Sequence, residues 1–207
     1  MSEIQDSFYR LAPQIIDLDP SDEGVIEFSD RRFVFFYTDL FKELFDDMKE
    51  VAGPVIETRI KKFGKTAGDQ IASKLDEDFK NTSVIETMKI LVGSGFNVSD
   101  LKTISDSSPR AQMEKIFGLG MYDGWIGHAE VMEYQEGEEL AVEAENTFES
   151  QSHGQTGETE CKFLTGVVEG MTGYFWDVEV EAEETQCACQ EEYSSCRIEL
   201  SRVEDTE

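Results

Sequence analysis

Cysteine is confined to the C-terminal part of this chain, where four residues of this type could do chemistry. They are Cys161, Cys187, Cys189 and Cys196. Thiolate sulfur is a preferred ligand of zinc, and neighbouring thiols can exchange with disulfides. The N-terminus lacks the basic start and apolar run of a secretory signal, so we expect a cytoplasmic protein. In that reducing compartment, clustered cysteines more often bind metal or do redox work than form structural disulfides.

The first cysteine begins an apolar stripe with helical spacing. Its members recur at intervals of three or four residues: Cys161, Leu164, Val168, Met171 and Phe175. This pattern predicts a helix over residues 159–174, with Cys161 in its first turn and facing inward. A helix N-terminus favours a thiolate there, because it carries partial positive charge.

The next segments alternate like strands of a half-buried sheet, and they carry the other candidate ligands. Val178, Val180 and Ala182 share one parity, which Glu184 continues. We therefore expect Glu184 to point inward, where a lone charge is costly and requires a partner such as a metal. Cys187 follows three residues later. In the last strand, Cys196 has the same parity as Ile198 and Leu200, so it also faces inward.

These predicted orientations make Cys161, Glu184, Cys187 and Cys196 a candidate metal site. Zinc takes four ligands tetrahedrally, and a site closed by protein ligands is structural rather than catalytic. Two alternatives remain open. The cysteines can be incidental buried thiols, or Cys187, Cys189 and Cys196 can form a thiol redox sensor, which would also explain Cys189.

The other elements predict an α+β fold, an antiparallel sheet with packed helices. We expect one domain over residues 1–207, divided into an N-terminal part with helices and a hairpin (1–121) and a core (122–203). The predicted helices cover residues 4–16, 38–51, 55–75, 83–92 and 110–118. A hairpin is expected near 25–37. A second hairpin turns at Glu136-Gly137, and its second strand has one face comprising Leu140, Val142, Ala144, Asn146 and Phe148.

The charge balance excludes several classes of partner. Asp and Glu number 45 against 18 Lys and Arg, giving a formal net charge of -27. Such a chain repels phosphate backbones and anionic lipid surfaces, so we expect neither direct nucleic-acid binding nor membrane association. No window approaches the length of about 18 apolar residues that a spanning helix requires. The acidic excess suggests a halophilic source, because salt screens self-repulsion.

Several short segments resemble the 4-vinyl reductase domain family. They are ENTFES at 145–150, Cys161 followed by Gly166 and Gly170, VEVEAEETQC at 178–187 and CRIEL at 196–200. Upstream, GVIEFSDRRFVFFY and FGKTAGDQIASKL are similar to the region preceding this domain in aromatic-sensing bacterial activators. The resemblance implies a fold similar to that of NO-signalling proteins and a Golgi transport-complex subunit, usually dimeric.

The resemblance also implies a zinc ion held by cysteines and one glutamate near a small-molecule pocket, at positions that match Cys161, Glu184, Cys187 and Cys196. The segment between the last two cysteines departs from the family pattern, because it has no glycine and adds Cys189. The choice between Cys187 and Cys189 as a ligand therefore stays open. The pocket for a hydrophobic molecule would be lined by Phe117, Met121, Trp125, Phe148 and Phe163. The alternative is that these residues are ordinary parts of an aromatic core. The histidine and tryptophan that hold phenol in the sensors have no convincing counterpart here, so phenol is not the expected ligand.

Our first functional hypothesis is therefore a zinc-stabilised, homodimeric module that binds a small hydrophobic molecule and signals through a partner protein. An alternative is an accessory or reductase protein acting on a tetrapyrrole vinyl group, although no nicotinamide or flavin motif supports independent catalysis. The third hypothesis is the thiol redox sensor.

Overall fold

The computed structural model describes residues 26–28, 31–33, 38–80, 110, 113–114 and 125–204. The chain divides into two units, one with residues 1–36 and 77–106 and the other with residues 37–76 and 107–207. In the first unit, β1 (Ile26–Phe28) pairs antiparallel with β2 (Arg31–Phe33), which confirms the predicted first hairpin. The single domain over 1–207 stays a prediction.

Two helices open the described part of the second unit, and a glycine-proline pair separates them. Helix α1 spans Thr38–Ala52 and helix α2 spans Val55–Lys80. Gly53 has a positive φ of 66° and donates its N–H to the Lys49 carbonyl, a conformation that glycine adopts without the strain of a side chain. Both helices were predicted, and α2 is longer than expected. Phe45, Ile56 and Ile60 are buried from these helices.

A four-stranded antiparallel sheet follows in the order β3-β4-β6-β5. Its strands are β3 (His128–Gln135), β4 (Glu139–Glu145), β5 (Val180–Gln186) and β6 (Cys196–Arg202). Gly137 has a φ of 71° in the turn between β3 and β4. One face of the sheet is apolar and buried, with Val131, Leu140, Val142, Ala144, Val180, Ala182, Ile198 and Leu200. The predicted α+β class with an antiparallel sheet is confirmed.

Two helices connect β4 to β5. The short α3 spans Phe148–His153, and α4 spans Lys162–Trp176 and contacts β5 and β6. Helix α4 also approaches α2 so closely that no side chain fits between the two backbones at Gly166 and Gly170. A Cβ atom added to Gly166 or Gly170 would collide with the backbone carbonyl of Lys61 or Lys65. The glycines spaced along α4 therefore allow two helix backbones to touch.

The structure corrects two predicted boundaries. The strand predicted to continue through Phe148 ends at Glu145, because Asn146 adopts a left-handed conformation with a φ of 52°. Thr147 then caps α3 by accepting the Ser150 N–H. The helix predicted over 159–174 begins at Lys162, with Cys161 as its N-cap residue.

Some predicted elements lie wholly or partly outside the described residues. The helices at 4–16 and 83–92 are outside them, and of the helix at 110–118 only Arg110, Met113 and Glu114 are described as helical. No helix in the described parts of the chain is long and apolar enough to cross a membrane.

Candidate metal centre

The four predicted ligands lie together at one end of the sheet. Cys161 precedes α4, Glu184 lies in β5, Cys187 follows β5 and Cys196 begins β6. All four are buried, and one potential ligand atom from each lies within 4.8 Å of the others. The elements that position them are the same ones that build the core. We call these four residues the ligand cluster.

The sulfur atoms have the spacing of a tetrahedral zinc site. The Sγ–Sγ distances are 3.4 Å for Cys161–Cys196, 3.6 Å for Cys187–Cys196 and 4.0 Å for Cys161–Cys187. A tetrahedron with Zn–S bonds of about 2.3 Å separates its sulfur atoms by about 3.8 Å. All four cysteines are free thiols. The sulfur atoms can therefore hold a tetrahedral ion with only small adjustments.

The glutamate of the cluster has an oxygen without a partner. Glu184 Oε2 accepts the Cys161 N–H at 2.9 Å, whereas Glu184 Oε1 is buried and has no hydrogen bond. Lys162 is nearby, but its Nζ lies 3.9 Å from Oε2 rather than beside the orphan oxygen. A buried acceptor without a partner is costly and calls for a proton or a cation. The donor set and this orphan oxygen fit a divalent metal ion.

Without a metal, the cluster retains protons. Burial, reinforced by the nearby Cys187, raises the pKa of Glu184 to about 9. Hydrogen bonds from Cys161 and Cys196 lower the pKa of Cys187 far below that of a free thiol. The pKa of Cys161 is instead raised, because its hydrogen bonds with Cys187 and Cys196 keep its proton in place. The thiolate expected at Cys161 from the helix N-terminus stays a prediction.

Hydrogen-bond donors surround the sulfur atoms. The Ala188 N–H lies 3.4 Å from Cys196 Sγ and the Cys189 N–H lies 3.5 Å from Cys187 Sγ. The hydroxyl of Thr147 is 3.1 Å from Cys161 Sγ. Such donors orient metal ligands and stabilise thiolate charge.

Cys189 lies outside the ligand cluster, although it is also fully buried. Its Sγ is directed at the Ser150 carbonyl, 3.8 Å away. This geometry favours Cys187 over Cys189 as the ligand. The redox sensor predicted from Cys187, Cys189 and Cys196 stays a prediction. The three sulfur atoms of the ligand cluster itself lie near enough for disulfide formation after small movements.

Three of the five predicted pocket residues lie together. The ring of Phe163 is 5.6 Å from that of Trp125 and 6.1 Å from that of Phe148, and Phe148 is 4.9 Å from Phe41. We call Phe41, Trp125, Phe148 and Phe163 the aromatic cluster. Phe117 and Met121 lie outside the described residues. The rings pack on one another, and their contact with a ligand stays a prediction.

Sequence reasoning missed Glu149, a buried carboxylate beside the ligand cluster. Its oxygens accept the N–H groups of Phe163 and Leu164 at 2.9 and 2.8 Å, in the first turn of α4. Burial raises the pKa of Glu149 to about 8. The alternation predicts a strand through Phe148, whereas the structure begins a helix after Thr147. The N-cap preference of threonine was the signal that could have located this helix start.

No protein-family model matches the chain, and no curated protein matches it. Among solved structures, the chain is similar to the phenol-responsive sensory domain of the transcription activator PoxR, crystallised with phenol. The TM-score is 0.61 at 17% sequence identity, covering 100% of this chain and 94% of that chain. The chain has the fold of this sensory domain. The predicted likeness to the sensory domains of aromatic-responsive activators is thus confirmed at the level of fold.

Two further structures are similar to parts of this chain. A trafficking protein particle complex subunit 3 from Naegleria fowleri, covalently bound to palmitic acid, matches with a TM-score of 0.52 and 15% identity, covering 81% of this chain and 95% of that chain. The sensory-domain fold is therefore shared with a transport-complex subunit, as predicted. A vinyl-4-reductase family protein from Methanocaldococcus jannaschii gives a TM-score of 0.39 and 12% identity over 85% of each chain, too low to carry an argument.

Proposed function

We propose that this protein is a zinc-stabilised module that binds a small hydrophobic molecule and signals through a partner protein. The observation that carries the proposal is the ligand cluster, with three thiols and an orphan carboxylate oxygen buried at one point. The fold supports the second half of the proposal, since one similar structure is a phenol-responsive domain and another carries covalently bound palmitic acid.

Zinc is the proposed metal because three of the four donors are thiolates. Thiolates favour zinc over calcium or magnesium, and four protein ligands leave no open position for catalysis. A bound ion would hold Cys161, at the start of α4, to Glu184, Cys187 and Cys196 of the β5–β6 hairpin. The proposed role is therefore structural: the metal fixes a helix start onto the sheet.

The aromatic cluster is the proposed ligand site. Phe163 is buried, while Trp125 and Phe148 are partly buried, so the cluster has one side within the core and one side nearer solvent. Its rings touch one another, and a ligand would have to displace at least one of them. Aromatic rings offer large apolar contact area, which suits a small hydrophobic molecule rather than a charged one.

Homodimer formation and the protein partner remain part of the proposal. Light scattering of the purified chain tests the first, with twice the mass of a 23.4 kDa chain as the expected value. A mass of one chain at all salt concentrations would remove the dimer from the proposal.

A thiol redox sensor is the second candidate, favoured by the 3.4 Å separation of the Cys161 and Cys196 sulfur atoms. Elemental analysis with thiol titration separates the two. The metal-stabilised module predicts about one zinc per chain in protein purified without added metal. It also predicts that three thiols become reactive only after chelation or denaturation. Metal-free protein whose cluster thiols oxidise and reduce reversibly would instead favour the redox sensor.

A further inference from the structure

Four consecutive residues between β4 and α4 contact both candidate sites. These residues, Thr147–Ser150, form what we call the coupling turn. Thr147 Oγ1 lies 3.1 Å from Cys161 Sγ and 3.9 Å from Cys196 Sγ. The next residue, Phe148, places its ring in the aromatic cluster, 4.9 Å from Phe41. One peptide bond therefore separates a contact to the ligand cluster from a contact to the aromatic cluster.

The other half of the coupling turn holds the start of α4. Glu149 is 1% exposed, and its carboxylate binds the N–H groups of Phe163 and Leu164. These residues lie two and three positions after the candidate ligand Cys161, and Phe163 is itself a member of the aromatic cluster. The Ser150 carbonyl accepts from Cys189, within the turn that follows β5. The coupling turn is thus tied through buried groups to the start of α4 and to the turn that follows β5.

The hydroxyl of Thr147 has a defined role if a metal is bound. In the metal-free cluster either Thr147 or Cys161 can donate their shared hydrogen bond. The Thr147 hydroxyl also lies 2.8 Å from the Ser150 hydroxyl oxygen and donates to it. A metal-bound thiolate has no proton and can only accept, so a hydrogen bond to it requires the Thr147 hydroxyl to turn from Ser150 Oγ to the sulfur. The Thr147 Oγ1 already accepts the Ser150 N–H at 3.1 Å, which fixes the direction from which it can donate. Metal binding would therefore restrict the orientation of the coupling turn and of the Phe148 ring.

We propose that Thr147 and Glu149 are positioning residues that join the ligand cluster to the aromatic cluster, so that a bound metal orders the hydrophobic ligand site. This inference rests on the proposed function. It adds a reciprocal consequence. If the metal tightens binding of a molecule to the aromatic cluster by some factor, that molecule tightens metal binding by the same factor.

Trp125 provides the readout, because its ring lies 5.6 Å from Phe163 and 6.4 Å from Phe148. The chain has two tryptophans, and the other, Trp176, hydrogen-bonds to Tyr134 outside the aromatic cluster. A Trp176→Phe background therefore isolates the signal. We expect titration of the metal-free full chain with zinc to change Trp125 emission in parallel with the loss of reactive thiols.

A matched pair of variants tests the hydroxyl. Thr147→Ser keeps the donor and should retain both zinc affinity and the emission change. Thr147→Val keeps the shape but not the donor, and should weaken zinc binding about 10- to 100-fold and reduce the emission change at saturating zinc. Glu149→Gln should also weaken zinc binding and reduce the emission change. Gln151→Ala, at an exposed neighbour, should leave both readouts unchanged.

The outcomes distinguish this inference from the proposed function. Failure of the chain to bind zinc would overturn both. Zinc binding that protects three thiols without changing Trp125 emission would leave the metal centre standing and overturn the coupling. Equal zinc affinity and emission change in Thr147→Val and Thr147→Ser would remove Thr147 as a positioning residue.

Discussion

Two buried glutamates on neighbouring elements face opposite electrostatic situations. Glu169, in α4, forms ion pairs with Lys61 at 2.9 Å and Lys65 at 2.8 Å and accepts the Ala182 N–H at 3.0 Å. Glu184 lies two residues beyond Ala182 in β5, among thiols, with one oxygen lacking any partner. The pKa of Glu169 lies below its usual value and that of Glu184 well above it.

The difference shows that the chain supplies a positive partner for Glu169 but not for the partnerless oxygen of Glu184. The Glu169 site is complete, because α2 brings two lysines to it and its backbone passes close to α4 at Gly166 and Gly170. The Glu184 site is complete only with an added positive charge. A metal ion supplies that charge and is also the natural partner of the three thiols. Each prediction below tests one side of this contrast.

The largest effect is expected from removing a sulfur ligand of the cluster. Cys187→Ser should abolish zinc-dependent stabilisation, because the remaining donors no longer close a tetrahedron. For the unchanged chain, zinc at about 1,000 times its dissociation constant adds about 4 kcal/mol to the unfolding free energy. Urea unfolding with and without zinc measures this difference.

Cys189→Ser is the matched control, since Cys189 is equally buried in the same turn but lies outside the cluster. It should keep the full zinc response. Loss of the zinc response in Cys189→Ser but not in Cys187→Ser would show that Cys189, and not Cys187, is the ligand, which would contradict our account.

The next largest effect is expected at the Glu169 site, where the chain supplies both lysine partners. Glu169→Gln should lower the unfolding free energy by about 2 kcal/mol, below the 3–5 kcal/mol typical of a fully buried pair, because the two lysines keep part of their exposure. Zinc content should not change. A Glu169→Gln protein that loses its metal would show that the two glutamate sites are not independent.

The contribution of Glu169 should also depend on pH in a defined direction. Burial acts to raise the pKa of Glu169, but the hydrogen bonds from Lys65, Lys61 and the Ala182 N–H together hold it below the usual 4.5. A carboxyl with a lowered pKa stabilises the fold above its unfolded pKa, and this stabilisation is lost as pH falls through the folded pKa. The stability difference between the unchanged chain and Glu169→Gln should therefore be constant near neutrality and shrink below pH about 4.5. Unfolding curves over this range check the prediction, and a difference that grows in acid would contradict it.

Lys162 should give the smallest effect. Its Nζ is 3.9 Å from Glu184 Oε2, and its side chain is 25% exposed. The two groups are beyond hydrogen-bond distance, and Lys162 Nζ donates instead to Thr159 Oγ1 at 2.6 Å, so we expect this pair to contribute under about 1 kcal/mol. Lys162→Met should therefore retain one zinc per chain and most of its stability in chemical unfolding. Metal loss in this variant would mean that the lysine, rather than an ion, is the main partner of Glu184.

The sequence predicted this contrast only in part. Strand parity predicted that Glu184 and Cys196 would be buried, because alternation is a local property of the chain. The pairing of Glu169 with Lys61 and Lys65 has no local signal, since it depends on how closely α2 crosses α4. The start of α3 is not predicted because the alternating pattern continues through Asn146, whereas the positive φ of that residue ends the strand. The burial of the candidate ligands could thus be foreseen, but not the groups that surround them.

X-ray absorption at the zinc edge tests the central claim most directly, applied to the zinc-loaded full chain and to Cys189→Ser. We predict about three sulfur ligands at about 2.3 Å and one oxygen ligand at about 2.0–2.2 Å in both proteins. Four sulfur ligands in the unchanged chain, falling to three in Cys189→Ser, would contradict the account, because Cys189 would then replace Glu184 at the metal.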